Sequence, residues 1–553
     1  MLEYLITRDL KGCYSMRQMY YGGDIITMLG EEDYVEAVLV DDGRIIETGS
    51  EEEVLELAGR EGEFEKINLN GKTLMPAFID PHSHISVVAQ TAFMADLSET
   101  KDFEDIQNVL KKYIKDKNLS EKDSLIGFGY DHNFLTEEAH PTKEVLDEVS
   151  ETNPIFILHA SAHMGVVNSA ALELAEIDEQ TKDPAGGVVG REEDSSEPNG
   201  YLEEAAMDLI QGPVFANIKM DFNELIVEAQ NEYLENGITT AQDGASTPDV
   251  VQLLEGLANE DLLDLDVISY PLLSADGQKT LKKHPEIANK YKNRLKIGGY
   301  KLLLDGSPQG KSAWLTEPYE GEETYRGYPS YEDEEVKKYI ETALEDNQQL
   351  LVHCNGDAAA DQLLNLYSEA LAESDNENKN NLRPTMIHCQ TVRNDQLDRM
   401  VVLDMLPSIF VAHTYYWGDV HLKNLGEERG RRISPAKSAF DRGLIVNFHQ
   451  DSPVVKPLML HTVWCAVNRI TRNGVSIGPE ERVSVYDALK AVTINAAYAY
   501  FEEDIKGTLE KGKLADLVIL DENPLKVDPY AIKDIQVLET IKEGVTLYEK
   551  EKN

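Results

Sequence analysis

At 553 residues the chain exceeds the size at which one hydrophobic core keeps growing, so a large domain with a smaller companion is expected. Its 52 basic and 101 acidic residues leave a net charge of -49, a field that repels phosphate backbones and anionic headgroups and excludes nucleic acid and membrane surfaces as partners. The acidity otherwise reads as a heavily solvated surface. The opening MLEYLITRDLKGCYSM lacks the parts of a secretory signal, and no run reaches the ~18 apolar residues of a membrane span, so a cytoplasmic, soluble protein is expected. Cys13, Cys354, Cys389 and Cys465 form no CxxC pair, which argues against a disulfide framework and against a thiolate zinc site.

In chain order, the segment from 24 to 49 alternates apolar and polar residues around turn signals and reads as short strands. TLMPAFID (73 to 80) then begins a series of apolar or β-rich runs. The others are GITTAQD (237 to 243), LDVISYPLL (265 to 273), KIGGYKLLLD (296 to 305), QLLVHC (349 to 354), TMIHCQ (385 to 390), LPSIFVAH (406 to 413) and GLIVNFHQD (443 to 451). Helix-like stretches such as DEEVKKYIETALEDN and DAAADQLLNLYSEALAES lie between them. This α/β alternation argues for a parallel sheet with right-handed crossovers and fits a (β/α)8 TIM barrel spanning 76 to 504. The gap between the first two runs is too long for one crossover, so about 86 to 235 is expected to hold an insertion that forms a lid. The C-terminal KGTLEKGKLADLVILDENP alternates like the N-terminal segment. Residues 1 to 75 plus 505 to 553 are therefore expected to pair into a composite β-sandwich domain, since each hairpin alone is marginal.

Chemistry-bearing residues recur at the C-terminal ends of these runs, where (β/α)8 enzymes place their active sites. His82 and His84 follow the first with an i, i+2 spacing that puts both on one face; Lys301 lies in the fourth, His353 in the fifth, His388 in the sixth and Asp451 at the end of the eighth. Imidazole and carboxylate donors without thiolates suit a divalent metal among Zn, Mn, Fe and Ni, with zinc the default. A strand lysine is costly as a charged amine. Either it reaches Asp305 as an ion pair, or burial and metals lower its pKa so that the neutral amine takes up carbon dioxide as a carbamate bridging two ions. The string GSPQGKS imitates a phosphate-binding loop, but only three residues separate Gly306 from Gly310 where that motif needs four.

The motifs PAFIDPHSH, HASAHMGVVNSAAL, GYKLLLDGSPQGKSAWL, VHCNGDAAAD, IHCQ, HTYYWGD, QDSP and GTLEKGKLADLVILD together resemble the amidohydrolase superfamily over nearly the whole length. The resemblance is strongest to the branch of N-substituted formamide deformylases and exoenzyme-regulator-like amidohydrolases. It implies a barrel with a β-sandwich and a metal site of one or two ions at His82, His84, Lys301, His353, His388 and Asp451. Ala77 departs from the glycine usual before Phe-Ile-Asp.

The function expected is hydrolysis of a non-peptide carbon-nitrogen bond of a small molecule, an N-substituted formamide or N-acyl compound, by hydroxide generated on the metal. Asp451 is the catalytic residue expected to take the water's proton and return it to the leaving nitrogen. His163 in the insertion, and His413, Tyr416, Trp417 and Asp419 after the seventh run, are candidate substrate contacts, with structural roles open for His163 and Trp417. A deaminase or cyclic amidase would use the same machinery, and a metal-binding regulator is the alternative outside enzymes. A homodimer is the one macromolecular assembly left open.

Overall fold

The computed structural model describes residues 17–60, 62–91, 93–132, 135–159, 164–184, 187–218 and 222–551. They fall into two compact units, one within Met1–Val88 and Ile226–Asn553, the other within Ala89–Leu225. No helix among the described residues is long and apolar enough to cross a membrane.

In the first unit strands from both terminal segments join one hydrogen-bonded sheet of eight strands. The join is the antiparallel pairing of Thr73–Pro76 with Leu517–Leu520, which sets Met75 opposite Val518. On the strand Tyr34–Asp41, Val38 and Val40 pack with Tyr20, Leu74, Leu517 and Ile541. Ala37 and Leu39 face the other way, against Val54 and Ala58 of the helix Glu51–Arg60. Burial on both faces is why this strand reads as a continuous apolar run.

The rest of this unit is built on parallel strands in two sheets. Phe78–Ile79, Ile238–Ser246, Asp266–Pro271 and Leu295–Ile297 form one; Gly299–Leu303, Gln349–Cys354, Thr385–His388, Leu406–Ile409 and Asn447–Phe448 form the other. A parallel bridge between Leu272 and Lys301 links them. At the far edges the Asp451 N–H donates to the His82 carbonyl at 3.2 Å and the His84 N–H to the Ser452 carbonyl at 2.8 Å. The expected fourth strand is broken at Gly298–Gly299, where a side chain on Gly299 would sit 2.2 Å from the Gln349 carbonyl oxygen. The second unit carries a six-stranded mixed sheet covered by helices, with Leu97, Ile106, Leu110, Tyr130, Ile157 and Val166 in its core.

The expected insertion ran to about 235, but the helix Phe222–Glu235 belongs for most of its length to the first unit. Its Gln230 side chain donates to the Leu262 carbonyl and accepts from the Asp264 N–H, while the Leu234 carbonyl accepts from Thr540. This helix is the crossover that delivers the chain into Ile238–Ser246.

At the N-terminal ends of the parallel strands a buried charge network ties them to the C-terminal segment. Asp266 accepts from Lys506 at 2.7 Å and Lys542 at 2.6 Å, and Arg294 reaches its other oxygen at 3.1 Å. Glu502 receives Lys506 at 2.7 Å and also Lys296. Burial alone would push the Asp266 and Glu502 carboxyls up, but the surrounding lysines hold both below their ordinary values. A carboxylate depressed in the folded state adds stability that is complete above its unfolded value of about 4 and is lost as the pH falls below it. Urea unfolding should therefore show stability falling below about pH 4. Asp266→Asn, which leaves two buried ammonium groups undercompensated, should cost roughly 3 to 5 kcal/mol at neutral pH and flatten that acid dependence.

Candidate metal centre

The parallel strands deliver their C-terminal ends to one cluster of polar groups. His82 and His84 sit just beyond Phe78–Ile79, Lys301 within Gly299–Leu303, His353 and His388 at the ends of Gln349–Cys354 and Thr385–His388, and Asp451 three residues past Asn447–Phe448. Asp451 Oδ1 lies 3.3 Å from His82 Nε2 and 3.1 Å from His84 Nε2. Lys301 Nζ donates to His82 Nε2 at 3.2 Å, His353 Nδ1 lies 3.0 Å from His388 Nε2, and Asp451 Oδ2 is 4.0 Å from His388 Nε2. These contacts bring all six residues together. The His82 side chain is 1% exposed and that of His84 is 24% exposed, so the cluster opens towards solvent on the His84 side.

The hydrogen bonds around the cluster assign the imidazole tautomers. Gln242 Nε2 donates to the Pro81 carbonyl at 2.8 Å and to Tyr500 Oη at 3.0 Å, and Tyr500 donates onward to the Asp80 carbonyl. The Gln242 amide is thereby oriented with Oε1 towards His82 Nδ1 at 2.6 Å, so that nitrogen carries the proton and Nε2 keeps its lone pair. His84 Nδ1 faces the Gly244 carbonyl, an acceptor only, which leaves Nε2 directed at Asp451. Gly244 is needed for this approach, since a Cβ there would lie 2.7 Å from His82 Cε1. Imidazoles anchored through one nitrogen and presenting the other inwards match the way proteins hold metal ligands.

His353 Nε2 lies 3.3 Å from the Gly306 carbonyl and 3.0 Å from the Asn355 amide, which itself donates to that carbonyl. A proton on this nitrogen leaves Nδ1 as a lone pair facing His388. His388 Nδ1 in turn lies 3.1 Å from His449 Nε2, and His449 Nδ1 2.8 Å from Ser408 Oγ. The chain Ser408, His449, His388 has two proton orders: one bridges His388 Nε2 to His353, the other moves the proton to His388 Nδ1 and frees Nε2. His388 also holds φ at +78°, a left-handed conformation costing a non-glycine residue about 1 to 3 kcal/mol and concentrated at functional sites.

Burial lowers the Lys301 amine to about 8, against the pull of Asp451. Among the described residues Lys301 forms no ion pair. Asp305, its alternative partner by sequence, instead accepts backbone N–H groups from Trp314, Asn355 and Gly356 at 2.7–3.0 Å. Burial works to raise Asp451, but the hydrogen bond and charge of His84 hold its carboxyl below the usual range. Burial, then the Lys301 charge, drives His82 well below its ordinary value and His353 down to about 4, so both rings are neutral near pH 7. The thiols of Cys354 and Cys389 are buried and pushed up by that burial, so neither offers a thiolate.

Of the candidate substrate contacts, His163 lies outside the described residues. His413 is buried, with Nδ1 3.1 Å from His421 Nε2 and its ring 4.5 Å from both Phe410 and Trp417. Tyr416 and Trp417 are half-buried, and Asp419 accepts from Thr471 Oγ1 at 3.0 Å. Sequence reasoning missed Gln242 and His449. His449 had a readable signal, standing two residues before Asp451 at the end of the same strand; Gln242 had none beyond a buried amide in an apolar run.

His82, His84 and Asp451 form a group able to hold a metal ion. Their nitrogen and oxygen donors, with His353 and His388 alongside, fit a borderline divalent cation. Gln242→Met, which removes the acceptor at His82 Nδ1, should weaken zinc binding about 10- to 100-fold in a chelator competition. Unchanged affinity would deprive Gln242 of this positioning role.

Comparison with known proteins identifies the family of the chain as a whole. The model of the Amidohydrolase family matches residues 65–548. YtcJ of Bacillus subtilis (strain 168) is 29% identical over 97% of this chain and 100% of its own length. The N-substituted formamide deformylase of Arthrobacter pascens is 28% identical over 96% of this chain and 98% of its own. Among solved structures, an uncharacterized metal-dependent hydrolase from Pyrococcus horikoshii OT3 superposes with a TM-score of 0.73 at 25% identity, covering 93% of this chain and 99% of that one. With a family match across most of its length, the chain belongs to the amidohydrolase family.

Proposed function

We propose that the chain is a metal-dependent hydrolase that cleaves a non-peptide carbon-nitrogen bond in a small molecule. The observation that carries this reading is the meeting of His82 Nε2 and His84 Nε2 at one oxygen of Asp451, at 3.3 and 3.1 Å. Donors ~2.0–2.1 Å from a tetrahedral zinc ion stand roughly 3.3–3.4 Å apart, close to the two histidine–Asp451 distances, and all three donor atoms lie within 4.8 Å of one another. His353 and His388 add a second donor pair beside it, which gives room for one ion or two. The linked parallel strands are read as one closed (β/α)8 barrel that presents these donors at its C-terminal mouth.

A divalent cation held there would supply an activated water at neutral pH and polarise the substrate carbonyl. The chain's own residues do the rest. Asp451 remains a carboxylate under the influence of His84 and commits Oδ1 to the two histidines. Its Oδ2 takes the proton of the attacking water and returns it to the leaving nitrogen. Lys301, at about 8, is partly a neutral amine near neutral pH. Condensation with carbon dioxide, forming an N–C bond and releasing a proton, would turn it into an anionic ligand. His413, Tyr416, Trp417 and Asp419 are proposed as the substrate-facing wall.

The name of the Arthrobacter relative makes N-substituted formamides the first substrates to try. In a screen of formamides, N-acyl amino acids and cyclic amides, the purified chain should carry at least about one metal ion and turn over at least one formamide in a chelator-sensitive way. A chain with neither metal nor turnover would contradict the proposal. Asp451→Asn should retain much of the metal yet lose at least about 10²-fold in turnover. A wild-type rate in this variant would remove Asp451 from the proton transfer.

A further inference from the structure

A second group of ligand-type side chains stands in the unit Ala89–Leu225, built by two neighbouring strands. Leu125–Tyr130 and Ile155–His159 run parallel, with Tyr130 paired to His159 at their C-terminal ends. Asp131 and His132 follow the first strand and His159 closes the second. His132 Nδ1 is 3.2 Å from His159 Nε2, His159 Nε2 is 3.3 Å from Asp131 Oδ1, and His132 Nδ1 is 3.8 Å from that same oxygen.

These separations bracket the roughly 3.3–3.4 Å between donors on a tetrahedral zinc ion. Two imidazole nitrogens and one carboxylate oxygen, all within 4.8 Å of one another, make a donor set of the kind that holds a divalent metal ion.

The surroundings hold this geometry. His140 stacks on His132 with ring centroids 4.0 Å apart, and its own Nδ1 is 3.0 Å from Tyr130 Oη. The side chains of His132 and Asp131 are 28% and 25% exposed while that of His159 is 8% exposed, so the site is rooted in the core and open to solvent on one side.

We propose that Asp131, His132 and His159 form a second divalent-metal site, selective for zinc or a cation of like nitrogen and oxygen preference. The ion would pin together the ends of two adjacent strands of this unit. The proposal does not depend on the chemistry assigned to the Asp451 cluster.

The test counts zinc by equilibrium dialysis on the full chain, stripped beforehand with chelator, for the unaltered protein, Asp131→Asn and His132→Ala. Each variant is expected to bind one zinc fewer per chain. Added zinc should slow amide hydrogen exchange in residues 125–132 and 155–159 of the unaltered protein but not of the variants. A His82→Ala, His84→Ala double variant should keep that zinc-dependent protection, which separates this site from the other. Asp131→Asn preserves side-chain shape, so the comparison survives if His132→Ala fails to fold. Equal zinc counts in all three chains, with exchange indifferent to zinc, would overturn the proposal.

Discussion

Two carbonyl oxygens, the Gln242 side chain and the Gly244 backbone, take the Nδ1 protons of His82 and His84, and the rest of the site depends on that constraint. With those protons directed outwards, both Nε2 atoms face Asp451 Oδ1, that of His82 as a lone pair and that of His84 as a hydrogen-bond partner whose protonated form Asp451 favours. The constraint reaches deep into the fold: Gln242 is itself oriented by Pro81 and Tyr500, and Tyr500 is held by Asp80. Residues separated by more than four hundred positions thus share one polar chain, which closes only if the strand ends lie in register. Buried polar networks of this sort are costly when partly satisfied and rigid when complete.

The molecule separates stability from chemistry along its parallel strands. At their N-terminal ends, Asp266 and Glu502 are saturated by lysines and an arginine, each carboxylate fully paired. At their C-terminal ends the opposite holds. His388 keeps a left-handed backbone, His82 and His353 are held neutral by burial, and Lys301 stands without a carboxylate partner among the described residues. Strain and depressed basicity on one face are tolerated because the other face anchors the strands.

Much of this is legible in the amino-acid sequence. Parallel strands buried on both faces leave near-continuous apolar runs, and chemistry at their ends leaves histidines just after those runs; His82, His353 and His388 stand out for that reason. The less legible parts have physical causes. Gln242 is chemically ordinary, and its importance lies in a contact with residues 160 positions away. His449 was readable by alternation from Asp451 but was overshadowed by it. The helix Phe222–Glu235 could not be assigned to a unit by pattern, because an amphipathic face does not name its partner. The Gly298–Gly299 break divides a run that reads as one strand in the sequence, and its reason, the closeness of the Gln349 carbonyl, is tertiary.

The central claim is that His82, His84 and Asp451 converge to bind a divalent cation through chosen atoms. Anomalous diffraction at the zinc edge, on crystals grown with zinc, tests it most directly. The account predicts a peak bonded to His82 Nε2, His84 Nε2 and a carboxylate oxygen of Asp451, with Gln242 and Gly244 still holding the opposite imidazole nitrogens. A zinc ion bound through Nδ1 of either histidine, or no peak within bonding distance of Asp451, would contradict it.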